Sequence, residues 1–214
     1  MKKTILWWGR SDPNYSRNRI IRKQLKNLNY EILDFYPLLS RFGYVEALLK
    51  KIKRTDFVWV PCFRQRDILS ASKWCLNKNI KLIIDPLISS WDKQTYEKEK
   101  ILNQKQSDTL KKKESFLFNK ADFVLADTKL HANLFQKKLC VDKKKIFTVY
   151  VGAEESLFNN VPSQNNTKKK FEILFYGSFL PLHGSEIIIK AAKFFGKNNA
   201  IRWTVLGLSL IHIS

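Results

Sequence analysis

Three segments hold residue types suited to chemistry, and each directly follows a short apolar run. The first is Gly9-Arg10-Ser11-Asp12-Pro13-Asn14. Gly9 lets the backbone turn tightly and Arg10 can meet an anion; a plain turn glycine is the alternative reading. The second is Asp85-Pro86-Leu87-Ile88-Ser89-Ser90-Trp91-Asp92. Asp85 is a candidate catalytic carboxylate, placed to orient a hydroxyl or accept a proton, or else to cap a turn before proline. The third is Gly177-Ser178-Phe179-Leu180-Pro181-Leu182-His183-Gly184-Ser185. A glycine-bounded loop entering a helix suits phosphate, because free backbone N–H groups and the helix dipole favour negative charge. Ser185 or Gly184 would cap that helix, and His183 would add a hydrogen bond or a positive charge. An ordinary loop with a surface histidine is the other reading.

Other chemistries find less support. His131 follows Asp127-Thr128-Lys129, either acid or hydroxyl being a helix N-cap, and it reads as a surface or interhelical residue. No Ser-His-Asp set, zinc-ligand spacing or paired carboxylates stand out. Neither G-x-G-x-x-G nor a P-loop occurs.

The elements that must position these residues follow from apolar patterning. Thr4–Trp8, Tyr30–Phe35, Asp56–Val60, Lys81–Ile84, Phe123–Ala126 and Ile146–Val151 have the length of buried strands. Most are apolar on both faces, which suits a parallel sheet covered by helices. Helical spacing fills the gaps. Asn18–Leu28 carries Ile21, Leu25 and Leu28; Val45–Ile52 carries Leu48, Leu49 and Ile52; Ile68–Leu76 and Lys129–Leu139 follow the same logic. The alternation predicts a doubly wound α/β domain over residues 1–158. Residues 93–120 interrupt it as one long, charged helix or two. Residues 159–170, polar with a proline and a lysine run, form a linker. A strand at Phe171–Tyr176, a helix at Ser185–Phe195 and a strand at Arg202–Leu206 then open a second α/β domain over 171–207. Three elements cannot bury both faces of a sheet, so this second domain is expected to be incomplete.

Composition narrows the partners. Of 214 residues, 44% are hydrophobic and 27% charged, a globular balance. No run of eighteen apolar residues predicts a spanning helix, and the short apolar N-terminus lacks a signal-peptide pattern. Thirty-nine Lys and Arg against nineteen Asp and Glu give +20, which draws the chain to polyanions. An AT-rich genome, encoding many lysines, is the competing account. Nucleic acid is not an expected partner, because basic and aromatic residues are not interleaved. Cys62, Cys75 and Cys140 read as free thiols in a reducing cytoplasm, and the six tryptophans mainly as core.

Several segments together resemble the family-four retaining glycosyltransferases, a bacterial group with the GT-B fold of two Rossmann-like domains. They are Ile173–Gly184, Ile187–Ala192 and Trp203–Gly207, similar to the start of the donor domain, with Ala121–Thr128 and Val149–Phe158 before them. Arg17–Arg22 and Asp85–Ser89 fit a bacterial subgroup. Order and spacing carry the resemblance, which spans most of residues 3–207.

The resemblance implies transfer of a sugar from a nucleotide-sugar donor, with retention and with no metal or other cofactor expected, to a saccharide or lipid-linked acceptor, in cell-surface polysaccharide or glycolipid synthesis. It implies a cytoplasmic enzyme, peripheral on the inner membrane face, with an anionic membrane surface as a further partner. Gly177, Ser178, His183 and Gly184 would lie at the donor diphosphate, His183 where many members have lysine or arginine. Gly9 and Arg10 would fall in the first domain's loop facing the cleft. The family's glutamate pair would lie beyond Gly207, and no clear match occurs for the first-domain histidine of some members. Leu208–Ser214 resembles a translated sequencing adapter, so authentic sequence is expected to end near Gly207 and the chain to be inactive alone. Two alternatives remain: a GT-B sugar-nucleotide epimerase, and a non-enzymatic basic module binding RNA or membrane.

Overall fold

A computed structural model describes residues 2–96, 102–154, 171–177, 179, 183–196 and 200–207. The described residues divide into two compact units, 2–96 with 102–154, and 171–207.

The first unit is a six-stranded parallel sheet in the order β2-β1-β3-β4-β5-β6. The strands are β1 (Lys3–Trp8), β2 (Tyr30–Phe35), β3 (Phe57–Val60), β4 (Lys81–Ile84), β5 (Phe123–Ala126) and β6 (Ile146–Thr148). The helices are α1 (Ser16–Asn27), α2 (Gly43–Leu49), α3 (Ile68–Lys78), α4 (Ser90–Tyr96), α5 (Gln104–Phe118) and α6 (Lys129–Leu139). Continuous apolar strands have period-two side chains, so each strand feeds both faces. Leu6, Trp8, Val58, Val60, Leu82, Ile84, Val124 and Ala126 face one core, with Trp74, Phe118 and Phe135 from the helices. Ile5, Trp7, Trp59 and Leu125 face the other, against Ile21 and Leu25 of α1. The Trp7 and Trp59 rings stack there, centroids 5.7 Å apart.

Helix ends follow local chemistry. Thr128 caps α6, its hydroxyl accepting from the His131 N–H at 3.1 Å. Asn103 and Gln106 form a reciprocal capping box on α5. The charged stretch 93–120 therefore resolves into α4 and α5 rather than one helix. The apolar run predicted over Ile146–Val151 ends as a strand at Thr148, and Tyr150 and Val151 are exposed.

The helix expected over Val45–Ile52 lies at Gly43–Leu49, with Leu48 and Leu49 exposed and Ile52 packed against the core just beyond its end. Gly43 and Ala47 take the inward positions, because a Cβ on Gly43 would already lie 3.2 Å from the Trp8 ring.

The second unit contains β7 (Phe171–Tyr176), α7 (Ser185–Phe195) and β8 (Ile201–Leu206). The two strands pair in parallel over six residues, from Phe171 with Ile201 to Tyr176 with Leu206. Among the described residues, no helix is long and apolar enough to cross a membrane.

Candidate functional site

In a parallel sheet, ligands bind beyond the carboxyl ends of the strands, where the strand order reverses. Here the order turns between β1 and β3, so the switch point lies where Gly9 leaves β1 and Pro61 leaves β3. Gly9 has φ +126°, and its N–H donates to the Phe35 carbonyl at 2.9 Å. A Cβ there would meet Asp67 Oδ2 at 3.0 Å and Arg64 Nε at 3.2 Å. Gly9 is thus more than a turn residue: an ion pair packs against its bare Cα. Arg64 donates to Asp67, which is wholly buried, at 2.6 Å. Arg10, next along, is exposed.

Helix α1 ties the loops of this edge together. Asn18 Nδ2 donates to the Asp12 carbonyl at 2.8 Å, and Cys62 Sγ donates to Asn18 Oδ1 at 3.1 Å. The loops after β1 and β3 therefore share one buried amide. Burial, reinforced by the field of Asp85, pushes the Cys62 thiol up to about 12. It is no nucleophile near neutral pH.

Asp85 does not present its carboxylate to solvent. It is 1% exposed, and both its oxygens accept from Arg17 Nε, at 2.9 and 2.8 Å. Arg17, 3% exposed, also donates through Nη1 to the Val149 carbonyl at 2.9 Å, while its buried Nη2 has no partner among the described residues. Burial pushes the Asp85 carboxyl up, against the pull of Arg17. A carboxylate so enclosed holds α1, β4 and the chain after β6 together. Both its oxygens are taken up by Arg17, and neither caps a turn.

The rest of the loop after β4 is also organised from within. Gln65 Nε2 donates to the Pro86 and Ile88 carbonyls at 3.2 and 3.0 Å. The buried carboxylate of Glu114 accepts from the Ser90 and Trp91 N–H groups at 2.7 and 3.0 Å, so it neutralises the start of α4. At the end of β5, Asp127 pairs with His131 Nδ1 rather than capping α6. Asp92 stands within the same field, its carboxyl pushed up by burial and drawn back by His131.

A cavity of about 410 Å³ opens elsewhere, on α1, lined by Pro13, Arg19, Arg22, Lys23, Lys26 and Asn27. Three of its cations are already engaged, Arg22 by Asp34 and both Arg19 and Lys23 by Glu154. It reaches the loop after β1 only at Pro13 and otherwise follows the cationic side of α1.

In the second unit the carboxyl ends of β7 and β8 come together. The Gly177 N–H donates to the Leu206 carbonyl at 3.0 Å. A Cβ on Gly177 would lie 3.3 Å from His183 Nδ1, so the two ends of the glycine-bounded loop meet. Gly184 takes a left-handed conformation at φ +62° and caps α7, its carbonyl accepting from the Ile187 and Ile188 N–H groups at 2.9 and 3.2 Å. The Phe179 ring stands against Gly207, where a Cβ would be 2.6 Å away. Gly177, His183, Gly184 and Gly207 thus bound one small region at a helix N-terminus. Ser178, and the tail Leu208–Ser214, lie outside the described residues.

Sequence reasoning named the segments of Arg17 and Asp85 without their pairing, and missed Arg64, Asp67 and Glu114. Their partners are distant in the chain, save Arg64 and Asp67, whose i,i+3 charge spacing was a usable signal. Gly207, which ends β8 as Gly177 ends β7, was another. Among the described residues no group of His, Cys, Asp and Glu is gathered to hold a metal ion.

Compared by sequence, no family model and no curated protein matches the chain. By structure it is similar to Anabaena HepE in complex with UDP and glucose, at 11% identity and TM-score 0.54, over 96% of this chain and 70% of that one. It is similar to HepE with UDP at 13% identity and TM-score 0.52, over 96% and 69%. It is similar to HepE with UDP-glucose at 11% identity and TM-score 0.50, over 95% and 69%. At these identities the likeness is one of fold, and the fold class is α/β of the GT-B type: a Rossmann-like first unit and a β-α-β second unit.

Proposed function

We propose that this chain belongs to a glycosyltransferase that takes a sugar from a nucleotide-sugar donor, with a uridine diphosphate sugar the leading candidate. The observation that carries the reading is the juxtaposition of Gly177, His183 and Gly184 at the N-terminus of α7. Two bare backbone turns, an imidazole and a helix N-terminus suit a diphosphate, whose charge grows as the sugar departs. The shared fold with a protein solved with UDP and with UDP-glucose supports the choice of nucleotide. Gly9 and Arg10 serve the acceptor side at the switch point of the first sheet, and the acceptor is a saccharide or lipid-linked saccharide. Transfer with retention, without a metal, in cell-surface glycan synthesis, completes the proposal.

Calorimetric titration tests it. UDP and UDP-glucose bind more tightly than UMP, and His183→Ala weakens UDP without changing uridine, because the lost contact is to the diphosphate. Equal affinity for UDP, UMP and uridine, or an unchanged UDP affinity in His183→Ala, overturns the reading.

A further inference from the structure

Helix α1 carries Arg17, Arg19, Arg22, Lys23 and Lys26 and not one acid. Arg17 turns inward to Asp85. The other four recur at i, i+3, i+4 and i+7, which sets them on one face. Like charges at i,i+4 repel, and this face holds two such pairs, Arg19 with Lys23 and Arg22 with Lys26. It therefore gains from negative charge laid along it. The same four cations line the cavity of about 410 Å³, a volume in the range of small-ligand sites.

The chain sets two carboxylates of its own against them. Asp34 accepts from Arg22 Nη1 and Nη2 at 2.6 and 2.8 Å, and the Arg22 guanidinium lies over the Trp7 ring, 5.0 Å from its centroid. That cation is fixed in place. Glu154, beyond β6, brings Oε2 to 2.8 Å from Arg19 Nε and Oε1 to 3.1 Å from Lys23 Nζ. Arg19 and Lys23 thus already close on an anion through two oxygens. The field of Lys26 reaches Asp34, but Lys26 closes no ion pair among the described residues. Four cations against two carboxylates leave the cavity at +2. Its lining says which anion fits. No aromatic ring lines it for a nucleobase to stack on, and nothing apolar beyond Pro13 for an acyl chain to enter. The four cations span about 10 Å of helix. Directly linked phosphoryl groups put more negative charge on that length than an extended acidic peptide, whose side chains reach one face only at every second residue.

We infer that the cavity on α1 binds a soluble oligophosphate, held by Arg19, Arg22, Lys23 and Lys26 in competition with Glu154. Phosphoryl oxygens replace the Glu154 carboxylate between Arg19 and Lys23 and extend to Lys26. Release of Glu154 loosens residues 150–154 from α1, while Val149 stays held by Arg17 through its carbonyl. The site needs neither nucleoside nor sugar, so the inference goes beyond the transferase reading and does not rest on it.

Nuclear magnetic resonance of the whole isotope-labelled chain, titrated with sodium tripolyphosphate, reads the site residue by residue. Amide shifts saturate at 19–27, and hydrogen exchange quickens at 150–154 but not at Val149. Lys23→Gln with Lys26→Gln weakens binding about tenfold, because two exposed cations are lost. Glu154→Gln tightens it about threefold, because the competing carboxylate is gone. Lys137→Gln with Lys138→Gln, an equal change of charge at the exposed end of α6, leaves it unaltered. Circular dichroism shows all three variants folded as the parent. His183→Ala does not change the shifts at 19–27, so this inference and the donor reading fail separately. Absence of saturable shifts on α1 overturns the inference. So does equal weakening in the α6 variant, which is attraction by net charge alone. Binding unchanged or weakened in Glu154→Gln also overturns it, since carboxylate and phosphate then do not compete.

Discussion

The two units use strands of similar apolar character to opposite effect. In the first, β1, β3, β4 and β5 are enclosed on both faces, and Asp67 and Asp85 beyond their carboxyl ends are buried. In the second, β7 and β8 keep full six-residue register, yet no described side chain of β7, α7 or β8 is buried. Register is a property of two backbones, whereas burial needs a layer on each face. The site in the first unit is therefore held rigidly by what surrounds it. The candidate donor loop in the second rests on backbone turns and one helix end.

Truncations test that contrast at its widest. Trp8→Ala removes a fully buried indole that packs edge-on against Phe35, ring centroids 4.6 Å apart, and costs about 3–5 kcal/mol. Leu174→Ala, on a strand residue 60% exposed, costs under about 0.5 kcal/mol. Amide hydrogen exchange reads both locally. Protection falls across β1, β3 and β4 in the first variant and barely moves at β7 in the second. A loss at β7 matching that at β1 means Leu174 is covered after all.

The buried ion pair sharpens the contrast from the polar side. Arg17→Met leaves Asp85 enclosed without its cation, at a cost of about 3 kcal/mol near neutral pH. The pH dependence has a definite sign. Burial holds the native Asp85 carboxyl above its unfolded value, so the native state takes up a proton first. Stability from this group is full below the unfolded pKa and falls as pH rises toward the native one. Without Arg17, whose pull lowers that pKa, the window extends upward. Urea midpoints of parent and variant should thus nearly coincide below about pH 4 and separate as pH rises. A constant difference across that range shows that Arg17 acts by packing alone.

Much of this architecture is legible in the chain itself, and the exceptions share a cause. Tyr30–Phe35, Lys81–Ile84, Phe123–Ala126 and Phe171–Tyr176 are read end to end, because each is a short apolar run with clear breaks. The start of α1 is read two residues late, since Ser16 and Arg17 look like loop. Arg17 is a core residue only because Asp85 stands opposite, and a pairing across 68 positions leaves no periodic trace. The same holds for Glu114 of α5, whose carboxylate meets the start of α4. The outward leucines of α2 mislead for the opposite reason: their spacing is helical and apolar, but Trp8 and Pro37 leave room only for Gly43 on the inward side. At the candidate site, glycines and the histidine are visible as types, while their meeting at the ends of β7 and β8 depends on strand pairing.

Glycines at the two strand ends provide the finest comparison. Gly9→Ala meets two penalties, a positive φ and a Cβ 3.0 Å from a buried carboxylate already bonded to Arg64. Gly184→Ala meets only the first, at φ +62°, with open space out to the Ile187 Cδ1 at 3.8 Å. A left-handed alanine costs about 1 kcal/mol, so Gly184→Ala loosens the first turn of α7 by that much and no more. A φ of +126°, outside the left-handed well, and the crowding together raise the cost at Gly9 to about 2–3 kcal/mol. Exchange at the Ile187 and Ile188 amides, which bond to the Gly184 carbonyl, reports the second unit, and exchange at the Gly9 amide reports the first. Should both substitutions cost the same, the Arg64–Asp67 pair yields freely to a methyl group. The first unit's edge would then be as open to a ligand as the second's.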